Sequence, residues 1–187
     1  MYIDHPASYT DYYELTMAQG YFLSGMHEKQ AGFDYFFRKT PFDGGYVIFA
    51  GLKELIDTIK HITFSQEEIE YLRNENFSEE FIQYLQDFTF QGDIWSVKEG
   101  EIVFPNEPVV RVEGNLIETQ ILETLLLNIL NFQSLIATKA TRIKFAAGED
   151  SIILDFGLRR AQGLAGIHAS RAAMIGGFDG TSNVYSA

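Results

Sequence analysis

The chain has 187 residues, and its 26 acidic residues against 14 Lys and Arg give a formal net charge of −12. Hydrophobic residues make up 46% and charged residues 21% of the chain, which is typical of a folded protein with a sizeable core. The absence of cysteine excludes disulfides and cysteine metal sites, and so acidic a chain lacks the basic footprint of a non-specific nucleic-acid-binding protein.

Neither a membrane span nor a secretory signal is indicated by the sequence. No run of about 18 residues is wholly apolar, and residues 1–10 lack a basic stretch followed by an apolar core. We therefore expect a cytoplasmic protein with no membrane or nucleic-acid partner.

Hydrophobic periodicity predicts alternating helices and strands over residues 8–88. The predicted helices span residues 8–24, 52–62, 65–73 and 78–88, and the predicted strands span residues 31–39 and 46–51 around a turn at 41–45. In the first helix, Tyr13 and Met17 fall on one face at helical spacing. Ser65 and Glu68 stand at the spacing of a capping box, which starts the third helix.

The pattern of the sequence changes after residue 88. Residues 92–114 alternate short β-type runs with turns, whereas residues 116–147 are helical and strongly apolar, as a buried helix is, with Gly148 as a stop. We therefore predict an α+β domain over residues 1–115 and, over residues 116–187, the opening part of an α/β barrel or sheet.

A β/α unit is predicted after Gly148. Its elements are a strand over residues 151–157, a helix over 161–175 and a Gly-bounded segment with a strand-like core over 176–184. This order is typical of parallel sheets, in which ligands bind at the carboxyl ends of the strands. One such unit cannot close a barrel of roughly 200 or more residues, so the sequence favours an open sheet or part of a longer protein.

Two adjacent arginines, Arg159 and Arg160, follow the predicted buried strand of residues 151–157. One interpretation is a solvated or salt-bridged pair, as exposed arginines usually are. The other is an anion site, because Gly157 allows close backbone approach and the amides that start the next helix favour phosphate. The position at a strand end favours a phosphate or pyrophosphate site.

Further polar and aromatic residues lie at the two predicted strand ends. Asp155 can orient an arginine or a ribose hydroxyl, and Phe156 either packs in the core or stacks on a flat aromatic substrate. In the second segment, Gly180, Thr181 and Ser182 supply backbone amides and hydroxyls. Taken alone that segment is an ordinary turn, but two strand ends in one sheet open on the same side.

The histidines are scattered and show no metal-ligand spacing, so we predict no metal site formed by the chain itself. They are His5, His27, His61 and His168.

Five segments resemble nicotinate phosphoribosyltransferases, in collinear order over nearly the whole chain. They are TDYYELTMAQGYF (10–22), FDYFFRKTPFDGGYVIFAGL (33–52), EGEIVFPNEPVVRVEG (99–114), DFGLRRAQG (155–163) and ASRAAMIGGFDGTSNV (169–184). The last two segments together are highly specific. The resemblance implies an α/β fold, in which an α+β N-terminal, hammerhead-like domain is joined to the start of an irregular α/β barrel of the type II phosphoribosyltransferase kind.

The resemblance also implies a reaction. Enzymes of this family transfer phosphoribosyl from phosphoribosyl pyrophosphate to nicotinate, which forms nicotinate mononucleotide and pyrophosphate for NAD biosynthesis. ATP hydrolysis is coupled through a phosphorylated histidine, and Mg²⁺ accompanies the phosphates. The enzymes are homodimers with shared active sites.

Site residues follow from the resemblance by position. The implied catalytic residues are Arg159 and Asp155, and the implied substrate-binding residues are Tyr13, Arg38, Phe156, Gly180, Thr181 and Ser182. Phe156 and Tyr13 of the partner subunit would clamp the pyridine ring, and Arg159 and Arg38 of the partner subunit would hold the phosphates. Ser182 stands where nicotinamide-using relatives carry Asp, which favours the nicotinate carboxylate.

In the family, the phosphorylated histidine and further arginines lie beyond the GTSNV motif (180–184). The resemblance therefore implies that these 187 residues are the N-terminal portion of the enzyme. Two alternatives remain open: a truncated, non-catalytic module that binds a phosphoribosyl ligand, and a nicotinamide- or quinolinate-using relative.

Overall fold

The computed structural model describes residues 6–186, so His5 lies outside the described residues. The helices are α1 (Tyr12–Leu23), α2 (Leu52–Ile59), α3 (Gln66–Asn74), α4 (Glu79–Gln86), α5 (Leu116–Gln120), α6 (Glu123–Ala147) and α7 (Ala165–Ile175). The strands are β1 (Gln30–Tyr35), β2 (Val47–Ile48), β3 (Asp93–Ser96), β4 (Ile102–Val103), β5 (Val110–Asn115), β6 (Leu154–Asp155) and β7 (Gly180–Thr181). Single turns of 3₁₀ helix span Pro6–Ser8, Pro41–Asp43 and Leu158–Arg160.

A three-stranded antiparallel sheet with the order β1-β5-β3 organises the first part of the chain. Along β5, Val110 and Val112 are buried while Arg111 between them is exposed, because successive side chains point to opposite faces. On the exposed face Arg111 forms an ion pair with Asp34 of β1 at 3.2 Å. Strands β2 and β4 form a separate antiparallel pair.

Helix α6 packs against α2, β2 and α7. Its residues Leu125, Ile129 and Leu130 are buried, as the apolar sequence predicts. By length and composition alone the helical stretch Leu116–Ala147 is able to cross a membrane, but 56% of its most apolar window is buried inside the protein. The core helix of a globular domain has this character. The helix ends at Gly148, whose positive φ of 86° confirms the predicted stop.

Capping interactions confirm one predicted helix start. Ser65 Oγ accepts the Glu68 backbone N–H at 3.2 Å, and a Glu68 carboxylate oxygen accepts the Ser65 N–H at 2.6 Å. The two residues therefore form the capping box that their spacing predicts.

The face of α1 that carries Tyr13 and Met17 is not its buried face. Tyr13 and Met17 are 46% and 40% exposed, whereas Leu15 and the carboxylate-bearing Glu14 are buried. Glu14 accepts hydrogen bonds from the backbone N–H and hydroxyl of Thr124 in the first turn of α6. Burial raises the pKa of Glu14, and the hydrogen bonds oppose that shift. The carboxylate therefore joins the N-terminal ends of two helices.

The predicted β/α unit is present, and its strands are parallel: Leu154 pairs with Gly180 and Asp155 with Thr181. The prediction of a buried strand over residues 151–157 is wrong for this chain, since Ile152 is 79% and Leu154 48% exposed. Among the described residues β6 pairs only with β7, and the Leu154 side chain of this two-stranded sheet is exposed.

The helix after β6 begins later than predicted, at Ala165 instead of residue 161. The Leu158–Arg160 turn and Gly163, with a φ of 51°, occupy the intervening chain. Helix α6 packs against α2, which precedes residue 115, and against α7, which follows it, so these contacts do not separate two domains at that residue. The predicted domain boundary at residue 115 therefore stays a prediction.

Candidate active site

The carboxylate of Asp155, the last residue of β6, connects the ends of both parallel strands. Its Oδ1 accepts the Gly157 backbone N–H at 2.9 Å. Its Oδ2 accepts the hydroxyls of Ser170 at 2.7 Å and of Thr181 at 3.1 Å. One side chain therefore fixes the chain that leaves β6, the chain that leaves β7 and the helix between them.

We call residues 156–160 the β6 loop and residues 182–186 the β7 loop. At the start of the β7 loop, the Ser182 N–H donates to the Asp155 carbonyl oxygen at 2.9 Å, and the Asn183 N–H donates to Thr181 Oγ1 at 3.1 Å. Asn183 is 2% exposed, whereas the Ser182 side chain faces solvent. Backbone hydrogen bonds thus fix the start of the β7 loop, while the Ser182 side chain remains exposed to solvent.

The glycines of the GGFDGTS segment do not form one strand-end loop. Gly176 and Gly177 follow the end of α7 and belong to the turn that leads into β7. Gly180 lies within β7, where an added Cβ would come within 3.2 Å of a Leu154 methyl group. Only Thr181 and Ser182 stand where the strand ends.

The two arginines of the β6 loop have different surroundings. Arg160 donates from its guanidinium to the Phe156 carbonyl oxygen at 3.0 Å, so it closes the loop on itself. Arg159 is exposed, and within residues 6–186 its side chain has no hydrogen-bond or ion-pair partner. The ring of Phe156 is 58% exposed, which excludes core packing in this chain. Arg159 and Phe156 are therefore the members of the loop that are available to a ligand.

This strand-end region is an open surface. Three cavities among residues 6–186, of about 590, 410 and 280 Å³, are lined by other parts of the chain, and neither Phe156 nor Arg159 lines any of these three. The predicted roles of Phe156 on the pyridine ring and of Arg159 on the phosphates therefore stay predictions.

Two other predicted site residues, Tyr13 and Arg38, are each associated with Glu123, the first residue of α6. Arg38 lines the cavity of about 590 Å³ together with Glu123. The Tyr13 hydroxyl is hydrogen-bonded to the same Glu123, and partial burial together with this carboxylate raises the pKa of Tyr13 to about 12. The predicted residues thus stand on different elements: Asp155 lies with the β6 and β7 loops, whereas Tyr13 and Arg38 are each associated with Glu123 of α6.

The sequence analysis missed Ser170 and Asn183, which are both buried and both hydrogen-bonded to the strand ends. A signal was present for Ser170, because it follows Gly166 by one helical turn and lies within a run of small residues. Nothing in the pattern marked Asn183 apart from its place after Thr181 and Ser182.

An ion pair fixes helix α7 to the first part of the chain. The Arg171 guanidinium donates to both oxygens of Glu99, at 2.9 and 2.6 Å, and Glu99 also accepts the Gly51 N–H at 2.7 Å. Burial alone would raise the pKa of Glu99, but these hydrogen bonds outweigh it and lower the pKa. The residue next to Ser170 is therefore held by a two-pronged charged contact.

Arg171→Ala should lower the free energy of unfolding by about 2 kcal/mol at neutral pH, because Glu99 stays half-buried without its cation. Since Glu99 has a lowered pKa when folded, the stabilisation is present above its unfolded pKa and is lost as the pH falls through the folded one. Urea unfolding should show that the difference in free energy of unfolding between the wild type and Arg171→Ala becomes smaller at acid pH.

Arg73→Ala, at an exposed ion pair, is the control and should change the free energy of unfolding little. A difference between the wild type and Arg171→Ala that does not depend on pH would contradict the assignment.

The chain offers little to a metal ion. Within residues 6–186, no three acidic or histidine side chains lie close enough together to hold one. The Asp155 carboxylate already accepts hydrogen bonds from Gly157, Ser170 and Thr181. Mg²⁺ is usually bound through substrate phosphates and one or two carboxylates, so these residues do not fit a dedicated magnesium site.

Comparison with known proteins decides the family. Residues 9–131 match the family model of the nicotinate phosphoribosyltransferase (NAPRTase) N-terminal domain, which is more than half of the chain. The chain belongs to the nicotinate phosphoribosyltransferase family. It is 49% identical over 183 residues to the nicotinate phosphoribosyltransferase of Bacillus subtilis and 43% identical over 181 residues to that of Dictyostelium discoideum.

The predicted fold class is confirmed by a solved structure of this family. The chain is similar to human nicotinic acid phosphoribosyltransferase with a TM-score of 0.89 and 35% identity, which covers 95% of this chain and 36% of the human one. It is also similar to nicotinate-nucleotide pyrophosphorylase from Pyrococcus furiosus, with a TM-score of 0.77 and 26% identity over 98% of this chain and 40% of that one. The chain spans 37% of the Bacillus relative and 30% of the Dictyostelium relative.

Proposed function

We propose that this chain supplies part of the active site of a nicotinate phosphoribosyltransferase, which forms nicotinate mononucleotide and pyrophosphate from nicotinate and phosphoribosyl pyrophosphate in NAD biosynthesis. The observation that carries the proposal is the parallel pairing of β6 with β7. It brings the unpaired Arg159, the exposed ring of Phe156 and the exposed Ser182 side chain to the carboxyl ends of two neighbouring strands. Ligands of α/β proteins bind at the carboxyl ends of parallel strands.

In this proposal Arg159 binds the phosphates and stabilises the negative charge that develops on the leaving pyrophosphate. The bond from ribose C1 to the pyrophosphate oxygen breaks, and a bond from the pyridine nitrogen to C1 forms. The nitrogen of nicotinate is unprotonated near neutral pH, so the chain needs no general base. Phe156 supplies a flat surface for the pyridine ring, worth about 0.5–1.5 kcal/mol beyond burial.

We also propose that the protein is a homodimer with shared sites. Support comes from the different surroundings of these residues. Tyr13 and Arg38 are associated with Glu123 of α6 and the β6 loop with Asp155, and residues on different elements of one chain can meet across two chains. Tyr13 of the partner subunit would cover the second face of the pyridine ring, and Arg38 of the partner subunit would contact the phosphates.

Coupling to ATP hydrolysis, Mg²⁺ carried by the substrate phosphates, and a cytoplasmic location complete the proposal. Mg²⁺ supplies neutralising charge on the pyrophosphate when bound. The described residues contribute no three-ligand cage, so the phosphates themselves would be its main ligands.

Ser182 is proposed to favour nicotinate over nicotinamide. Its uncharged side chain faces solvent at the β7 loop and would not repel the carboxylate of nicotinate. Two alternatives follow from the same geometry: a quinolinate- or nicotinamide-using enzyme, and a module that binds the phosphoribosyl ligand without turnover.

The test is an assay of the full-length gene product for pyrophosphate release with phosphoribosyl pyrophosphate and nicotinate, nicotinamide or quinolinate, with and without ATP. We expect release with nicotinate and its stimulation by ATP. Calorimetric titration of the same protein separates the alternatives, since binding without release indicates the module. Release only with another pyridine would contradict the nicotinate assignment.

A further inference from the structure

We propose that Ser170 is a positioning residue that acts through Asp155 to fix the β6 loop relative to the β7 loop. In this role the Asp155 carboxylate accepts the hydrogen bonds that join the two loops, and it does not act as an acid or base. The catalytic consequence rests on the proposed function. The structural consequence, greater mobility of the β6 and β7 loops when the Ser170 hydroxyl is removed, does not rest on it.

The hydroxyl of Ser170 lies at the centre of a buried polar cluster. Ser170 is 0% exposed, and its Oγ lies 2.7 Å from Asp155 Oδ2, 3.3 Å from Thr181 Oγ1 and 3.4 Å from Asn183 Nδ2. Oγ also lies 2.9 Å from the Gly166 carbonyl oxygen in the preceding turn of α7. The last residue of β6, the last residue of β7 and Asn183 of the β7 loop therefore each have an atom within hydrogen-bond distance of this one hydroxyl.

Counting protons shows how the cluster is satisfied. An ionised carboxylate only accepts, so Ser170, Thr181 and the Gly157 N–H are its donors. The Ser170 oxygen is then free to accept from the amide of Asn183, whose second donor contact is with Ser186. With three donors directed at it, the Asp155 carboxylate is engaged in holding the loops.

The same carboxylate determines where the proposed ligand groups stand. Its bond to Gly157 sets the start of the 3₁₀ turn, in which the Arg160 N–H donates to the Gly157 carbonyl oxygen at 2.8 Å. That turn carries Arg159. Its bond to Thr181 fixes the residue before Ser182. A displacement of about 1 Å between reacting groups costs up to 100-fold in rate, so this connection matters for catalysis.

Helix α7 provides a rigid base for Ser170. The adjacent Arg171 is held by Glu99 through two hydrogen bonds. At the start of the helix, a Cβ on Gly166 would lie 2.7 Å from a Leu158 methyl group, so the helix and the β6 loop are in direct contact. Ser170 is thus placed between a charged anchor and the loop that it orders.

The experiment compares Ser170→Ala with Ser134→Ala in the full-length gene product. Ser134 is also 0% exposed on a helix, and its hydroxyl bonds the backbone of Ala50, away from the strand ends. Both variants lose one buried hydroxyl, so we expect similar losses of thermal stability. We expect Ser170→Ala to lower kcat/KM by about 10- to 100-fold through both kcat and KM, and Ser134→Ala to leave both constants within about twofold.

A double-mutant cycle tests the route through Asp155. If Ser170 acts through Asp155, the Ser170→Ala/Asp155→Ala pair should be little worse than Asp155→Ala alone. Additive losses would show that Ser170 does not act through Asp155 and would overturn that part of the proposal.

Hydrogen exchange gives a readout that does not need activity. In Ser170→Ala, the amides of Gly157 and Ser182 should exchange faster than in the wild type or in Ser134→Ala. If the full-length protein has no transferase activity but this difference is present, the proposed function fails and the positioning role stands. Equal exchange and equal kinetics in the two alanine variants would overturn the positioning role itself.

Discussion

Arg159→Ala should lower kcat/KM for phosphoribosyl pyrophosphate by about 10²- to 10³-fold in the full-length gene product. Arg159 is exposed at the end of β6, and within residues 6–186 it has no partner of its own, so its charge is available to the substrate. A guanidinium that contacts the leaving pyrophosphate stabilises the charge that grows there, and removal of one such donor costs this much. Steady-state kinetics with varied phosphoribosyl pyrophosphate measure the loss.

Arg160→Ala is the matched control. Arg160 is the neighbouring exposed arginine, and its guanidinium is engaged with the Phe156 carbonyl oxygen. We expect a loss of less than about 10-fold, because only one local hydrogen bond disappears. If Arg160→Ala were the more damaging change, the pyrophosphate contact would have been assigned to the wrong arginine. If both variants retained wild-type constants, the strand-end site would be wrong.

Phe81→Ala should lower the free energy of unfolding by about 3–5 kcal/mol. Phe81 is 0% exposed in α4, and its ring lies 5.7 Å from that of Phe22, 5.9 Å from that of Phe77 and 6.2 Å from that of Tyr84, centre to centre. Truncation removes buried surface and leaves a cavity among these rings. Urea unfolding followed by circular dichroism measures the change.

Tyr71→Ala is the control for this prediction, since Tyr71 lies on α3 with 56% of its surface exposed. Its loss should stay near 0.5 kcal/mol, as for exposed positions in general. Similar losses for the two variants would mean that the aromatic cluster around Phe81 is not the core that the structure describes.

Much of the fold could be predicted because local signals coincide with it. Ser65 and Glu68 form the capping box that their spacing indicates, and Gly148 ends α6 with the positive φ that glycine permits. The order of strand, helix and strand after Gly148 is that of a parallel unit, and β6 and β7 are parallel. The capping box and the helix stop depend on neighbours a few residues away, and the parallel pairing follows from the order of elements along the chain, so a sequence pattern can show all three.

Burial was predicted less well, because it depends on what packs from elsewhere. The spacing of Tyr13 and Met17 predicted helix α1 but not which of its faces is buried, and the buried face includes Glu14, whose partner Thr124 lies 110 residues away. Likewise Ile152 belongs to an apolar run typical of a buried strand, but it is 79% exposed and lies outside β6, which begins at Leu154.

The candidate site was predicted in part. Asp155 and Thr181 do meet, as two strand ends in one sheet should. Ser170 was missed because a serine within a small-residue helix has no distinctive pattern, and only the fold places it beside Asp155.

A crystal structure of the full-length gene product with phosphoribosyl pyrophosphate and nicotinate tests the central claim most directly. We predict that the pyrophosphate lies within hydrogen-bond distance of the Arg159 guanidinium and that the pyridine ring lies on Phe156, with the hydrogen bonds of Asp155 to Ser170 and Thr181 intact. Phosphates bound in the cavity beside Arg38 alone, with the β6 loop still facing solvent, would contradict the account.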